Sequence, residues 1–149
     1  MKLLGCIFII FASIISSYFY EKNLKDNINH TEALYDLIKH IMSHIEFFST
    51  SIGDILKSYP SDNEFIKILV NKKELSDFSF LEDSISNDIK CFFSKLGKGF
   101  KKEQLALCEY TLKQLEGTKN KMKLEFAKKT KVFRSLSLFF GIGCVILLV

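Results

Sequence analysis

His40 and His44 stand four residues apart, the spacing at which two imidazoles on one helical turn can share a metal ion. The intervening Ile41-Met42-Ser43 lacks the glutamate that a zinc-protease motif places between such histidines, and His44 flanks an apolar seam. The pattern reads as two partly exposed structural histidines, and an enzymatic reading would need a metal at this pair. Gly97 and Gly99 form a lone Gly-x-Gly with no strand before it, so a phosphate-cradling loop is not expected there. Glu82, Asp83 and Asp88 sit among polar positions, as a solvated face would have them. No serine, cysteine or carboxylate pair has a supporting base beside it. These residues argue against an enzyme, and no metal, cofactor or small-molecule substrate is expected.

The four cysteines do not make a disulfide framework. Cys6 and Cys144 lie within apolar ends, and Cys91 and Cys108 fall within predicted helices. A Cys91–Cys108 bridge is conceivable if the turn at Gly97 and Gly99 sets their helices antiparallel. The preferred reading is two small hydrophobes in a reducing compartment. Cys6 mimics a lipoprotein box, but its apolar run follows the cysteine instead of preceding it.

The elements that would position these residues are helical. At 149 residues the chain has room for one domain, and its single proline, seven glycines and absence of tryptophan argue against a turn-rich β fold. The organising stretch is the C-terminal third. Leu105, Cys108, Leu112, Leu115, Met122 and Phe126 recur at helical steps, and after Lys128, Lys129, Lys131 and Arg134 the polar face gives way to LSLFFGIGCVILLV. A single helix that leaves a bundle and enters a bilayer fits that pattern. At the other end, Leu3 to Tyr20 closes on Tyr18-Phe19-Tyr20; as a helix it would span about 27 Å, near the hydrocarbon thickness of about 30 Å. Gly5, Ala12 and Ser16 form one small-residue stripe and Ser137, Gly141 and Cys144 another, so the two spans could pack as a hairpin. A cleaved signal peptide is the competing reading of the first stretch.

Between the ends, Glu21 to Asn29 reads as a polar connection, with a helix starting at an N-cap Thr31. Leu34, Ile38, Ile41, Ile45, Phe48, Ile52 and Ile55 make a heptad seam, which Ser49 to Ser51 could break, with Ser51 and Asp54 as a capping pair. Tyr59-Pro60 ends that stretch, and Ser61 or Asp62 can cap the next helix. Phe78, Phe80 and Leu81 are expected to pack over the end of the bundle. Ile85, Ile89, Phe92, Phe93 and Leu96 mark a further helix, closed by Gly97 as a left-handed cap. The expected architecture is an all-α antiparallel helical bundle over 21–131, flanked by transmembrane helices over 1–20 and 132–149, the second continuous with the last bundle helix. Lys119, Lys121, Lys123, Lys128, Lys129, Lys131 and Arg134, countered nearby by Glu125 alone, would hold the bundle on the cytoplasmic side. The same cluster lacks the interleaved aromatics of a nucleic-acid surface, so anionic lipid headgroups are the nearer partner.

Three passages carry a resemblance to a known family. Lys2-Leu3-Leu4-Gly5 opens an Ile-rich span. Phe92 to Gly97 (FFSKLG) is followed by Gln104, seven residues after that glycine. Phe133-Arg134-Ser135-Leu136 leads to Gly141 and Val145-Ile146-Leu147-Leu148. In these the chain resembles stage III sporulation protein AB, a component of the complex between mother cell and forespore in endospore-forming bacteria. Ser51, Phe100 and Ser137 depart from the family pattern, standing where a proline, an acidic cap and a glycine are usual. The resemblance implies a cytoplasmic helical domain similar to those of the type II secretion platform protein. It further implies a place in the mother-cell membrane around the forespore, beside a sporulation ATPase and other channel-complex subunits. The alternative from another class is an extracytoplasmic, receptor-like bundle, anchored by its last segment after cleavage of the first.

Overall fold

The computed structural model describes residues 2–47, 51–60, 62–72 and 78–148, with side-chain surroundings from residue 11 onward except at 71, 72, 141, 144, 145, 147 and 148. Every regular element among the described residues is an α-helix: α1 (Lys2–Phe47), α2 (Ile52–Ser58), α3 (Glu64–Lys72), α4 (Asp83–Lys95) and α5 (Lys101–Leu148). The all-α expectation is met. Among the described residues no helix is long and apolar enough to cross a membrane. Much of the two expected spans, including Gly5, Cys6, Gly141 and Cys144, lies outside the residues described at side-chain level. The fold thus establishes helices, not flanking transmembrane segments.

The expected break before Thr31 does not exist. Residues 21–29 continue α1 without interruption, because Glu, Lys, Asn, Leu, Asp and Ile contain no proline or glycine to stop a helix already running. Thr31 is fully buried, and its hydroxyl donates to the Asn27 carbonyl at 2.9 Å, satisfying itself inside the helix instead of capping one. The break further on is real. α1 ends at Phe47, Phe48 to Thr50 lie outside the described residues, and Ser51 is the extended N-cap of α2. The Ser51 carbonyl accepts from Asp54 and Ile55, but its side chain makes no cap bond. Tyr59 is extended before Pro60, as the proline ring requires. α3 is capped by Asn63, whose side-chain oxygen accepts the Phe65 N–H at 3.0 Å; Asp62 does not do this, and Ser61 lies outside the described residues.

The chain forms two compact units, residues 1–26 with 121–149, and residues 27–120. The second unit holds most of the buried apolar side chains. Leu34, Leu37, Ile38 and Ile41 of α1 are buried, as are Ile55 of α2, Ile66 and Leu69 of α3, Ile89 and Phe92 of α4, and Cys108 and Leu115 of α5. Before α4, Phe78 and Leu81 are also buried, and the Phe65, Phe78 and Phe80 rings meet edge-on around His30. On α5 the buried stripe runs Gln104, Cys108, Thr111, Leu115, so it takes in two polar residues where Leu105 and Leu112 were expected. Those two leucines are half-buried at its edge.

Candidate functional site

Two places gather the residues that the sequence singles out. The first is the α4–α5 turn in the 27–120 unit. Leu96 is extended at φ −61°, ψ 128°, Gly97 follows at φ 79°, and the Lys98 N–H donates to the Lys95 carbonyl at 3.0 Å. That is a type II turn with glycine where the backbone demands positive φ. Gly97 thus has the left-handed conformation expected of the glycine that closes α4, one residue past the C-cap Leu96, and the turn it completes supplies the reversal. Gly99 also has positive φ, 115°.

Gln104, buried one turn into α5, locks this reversal. Its side-chain oxygen accepts the Gly97 N–H at 3.0 Å, and its amide nitrogen donates to the carbonyls of Lys98 at 2.6 Å and Lys95 at 3.2 Å. Three main-chain groups that no helix can satisfy are thus satisfied by one side chain. The resemblance marks this glutamine, but sequence reasoning misses its role; a polar residue completing the Cys108–Leu115 stripe is the available signal. At the start of α5, Phe100 offers no side-chain acceptor, and Glu103 reaches back to the Phe100 N–H at 3.3 Å, making half of a capping box.

The second place is the 1–26 and 121–149 unit, where the N-terminal part of α1 lies antiparallel to the end of α5. Tyr20 stacks on Phe133 with ring centres 4.5 Å apart, and Glu21 takes a two-pronged hydrogen bond from Arg134, with Nη2 to Oε2 at 2.6 Å. Glu125 is therefore not the only countercharge to the basic cluster; Glu21 joins it from 113 residues away, which linear reading cannot see. Lys129 pairs with Glu125 at 2.6 Å and holds that carboxyl below its usual range, chiefly through the hydrogen bond. Lys128 and Lys131 are exposed. Ala12, Ser16 and Ser137 line one groove together with Phe133, Leu136 and Phe140, and Ala12 and Ser16 are exposed. Phe11, Ile14, Tyr18, Phe19, Leu138, Phe139, Phe140 and Ile146 are exposed.

A family model described as stage III sporulation protein AB matches residues 71–149, more than half of the chain. The chain belongs to the stage III sporulation protein AB family. Membership makes it a sporulation-related protein. The matched part covers α4, the Gln104-locked turn and all of α5, so the family model spans the first place and the α5 half of the second, but not α1, α2 or most of α3. Neither curated proteins nor solved structures gave a match.

The remaining chemistry-bearing residues of this stage III sporulation protein AB family member are accounted for by packing. The His40 and His44 rings lie 4.3 Å apart and Tyr59 packs 5.1 Å from His40. Burial, and then the charge of His44, pushes the His40 pKa down. Among the described residues no group of three His, Cys, Asp or Glu side chains could hold a metal ion. Cys91 and Cys108 are free thiols, the first exposed and the second buried, so the conceivable bridge is not formed. Burial, followed by the neighbouring Glu109, pushes the Cys108 pKa up to about 11, away from nucleophilic use.

Proposed function

We propose that the chain is a non-enzymatic membrane platform in spore formation. Its helical unit would be held at the cytoplasmic face of the mother-cell membrane around the forespore and would dock a cytoplasmic ATPase of the channel complex. The observation that carries the reading is the contrast between the two units. One buries its aliphatic and aromatic side chains around a core, while the other leaves Phe11, Ile14, Phe19, Leu138, Phe139, Phe140 and Ile146 exposed on a helix pair. Exposed apolar surface of that kind has a natural solvent in lipid. Lys128, Lys129 and Lys131, just before the apolar end of α5, fit a cytoplasmic leaflet. Family membership supplies the sporulation setting; ATPase docking rests on the likeness to secretion platforms.

The test is a topology map with reporters at Lys73 and Val149 in sporulating cells, combined with crosslinking before detergent extraction. The reading expects a cytoplasmic reporter at Lys73, an external one at Val149, and an ATPase among the crosslinked products. An external Lys73 would instead favour the anchored extracytoplasmic bundle. Recovery of the chain without an ATPase, with the complex otherwise intact, would overturn the docking role.

A further inference from the structure

One end of the 27–120 unit is where α1 stops and α5 starts. Lys101 Nζ donates to the Glu46 carbonyl at 2.6 Å, joining the first residue of α5 to the last turn of α1. A Cβ on Gly97 would lie 3.2 Å from Ile52, so the α4–α5 turn sits against α2 at the same end. Phe47 and Phe100, the sequence neighbours of the two bonded residues, are 71% and 79% exposed. The other described phenylalanines of this unit are buried or half-buried. Lys95, Lys98, Lys101 and Lys102 are all exposed here, and among the described residues none of them pairs with a carboxylate. Lys101 bonds a carbonyl, which leaves its charge uncancelled. Several of these residues work against the fold. Phe100 precedes α5, its carbonyl accepting the Gln104 N–H at 3.0 Å, where a serine would complete a capping box with Glu103. Lys102 puts positive charge in the first turn of a helix, the end that favours acids. Two exposed aromatic rings add no burial energy. Local rules broken together at one end of a unit mark a contact surface.

We infer that this end docks an acidic segment of a protein partner, which sets an apolar side chain against Phe47 and Phe100 and carboxylates against Lys98 and Lys102. The inference deepens the docking reading above and rests on it only for the partner's identity, the ATPase. The patch is mixed in charge, because exposed Glu46 and Glu103 stand among the lysines. A nucleic-acid backbone or an anionic bilayer presents negative charge everywhere and meets those carboxylates with repulsion. A protein segment can place a donor opposite each of them, so a patterned partner fits where a uniform one does not. A second copy of the same end fits least, since its lysines would face these lysines.

The experiment puts the photocrosslinker p-benzoylphenylalanine in place of Phe100, or of Tyr110, which is exposed farther along α5, in the full chain in sporulating cells. After illumination, mass spectrometry identifies the attached peptide. The probe replacing Phe100 is expected to attach to an Asp- and Glu-rich peptide of one partner, and the probe replacing Tyr110 is not. Lys98→Glu with Lys102→Glu should lower that product about tenfold, and lysines in place of the attached peptide's acids should restore it. With the probe replacing Phe47 instead, Phe100→Ser should lower the yield while raising the melting temperature of the purified chain. Unfolding does not explain such losses, because Lys102→Glu and Phe100→Ser both favour the start of α5. Products on nucleic acid or lipid, a peptide without acids, equal yields from the Phe100 and Tyr110 probes, or a charge reversal without effect would overturn the surface. An acidic peptide from a subunit other than an ATPase would uphold the surface and end the ATPase reading. An ATPase crosslinked elsewhere on the chain, with no product from the Phe100 probe, would refute this surface alone.

Discussion

Replacing Gln104 by alanine tests whether one side chain holds the α4–α5 reversal. The substitution removes an acceptor for the Gly97 N–H and a donor to the carbonyls of Lys95 and Lys98. Three hydrogen bonds at about 1 kcal/mol each would cost about 3 kcal/mol; the exposed turn lets water replace part of them, leaving about 2 kcal/mol. For a chain of this size that corresponds to a fall in melting temperature of about 6 °C. The assay is thermal circular dichroism of the full chain in mild detergent, with Lys102→Ala as a comparison on the exposed face of the same helical turn. Lys102→Ala should stay within about 0.5 kcal/mol of the parent, as surface changes do. If Gln104→Ala were equally mild, the three hydrogen bonds would carry no net energy, and the turn would owe its shape to the glycines alone.

Glycine substitutions should act in opposite directions at two positions. Gly97→Ala forces a side chain into positive φ and sets its Cβ 3.2 Å from Ile52, so a loss of about 1–2 kcal/mol is expected by urea denaturation. Gly117→Ala, inside α5 with nothing within 4 Å of the new Cβ, should stabilise by about 0.5–1 kcal/mol in the same assay. Iodoacetamide at pH 8 should label Cys91 readily, and Cys108 only after denaturation, because Cys108 is buried and its pKa stands at about 11; equal labelling of both in the folded chain would contradict the burial. Since the folded pKa of His40 is depressed by burial, its contribution to stability is present above the unfolded value of about 6.5 and is lost as pH falls through the folded value. Denaturation midpoints should therefore decline with acidification in the parent and decline less in His40→Gln.

Much of the helical layout was legible because it depends on apolar spacing and on strong punctuation. The Ile and Leu positions of α1, the stop at Tyr59-Pro60 and the start of α5 after Gly99 follow from those signals. The failures share a cause. Residues 21–29 look like a linker by composition, yet a polar stretch without glycine or proline does not end a helix that has begun. The N-cap of α3 went to Asn63 over Ser61 or Asp62 because caps are chosen among adjacent polar residues by backbone geometry, which composition does not encode. The Glu21–Arg134 pair joins residues too far apart for any local pattern to show. Gln104 was marked by likeness to a family, but only the three-dimensional turn explains what a glutamine does there that a leucine could not.

The buried polar residues show how the helices meet their hydrogen-bonding needs. Thr31 and Thr111 close their hydrogen bonds within their own helices, and Gln104 closes its bonds on the turn it supports. Each is consistent with the rule that a polar group withdrawn from water needs a partner, and each stabilises the element in which it sits. Ser17 differs: it is as buried as Gln104, but its hydroxyl has no partner. A buried hydroxyl that makes no bond carries its desolvation cost without a return, so Ser17→Ala should leave the melting temperature unchanged or raise it in the assay in which Gln104→Ala lowers it. A fall for Ser17→Ala as large as that for Gln104→Ala would show that the hydroxyl is bonded in the folded chain.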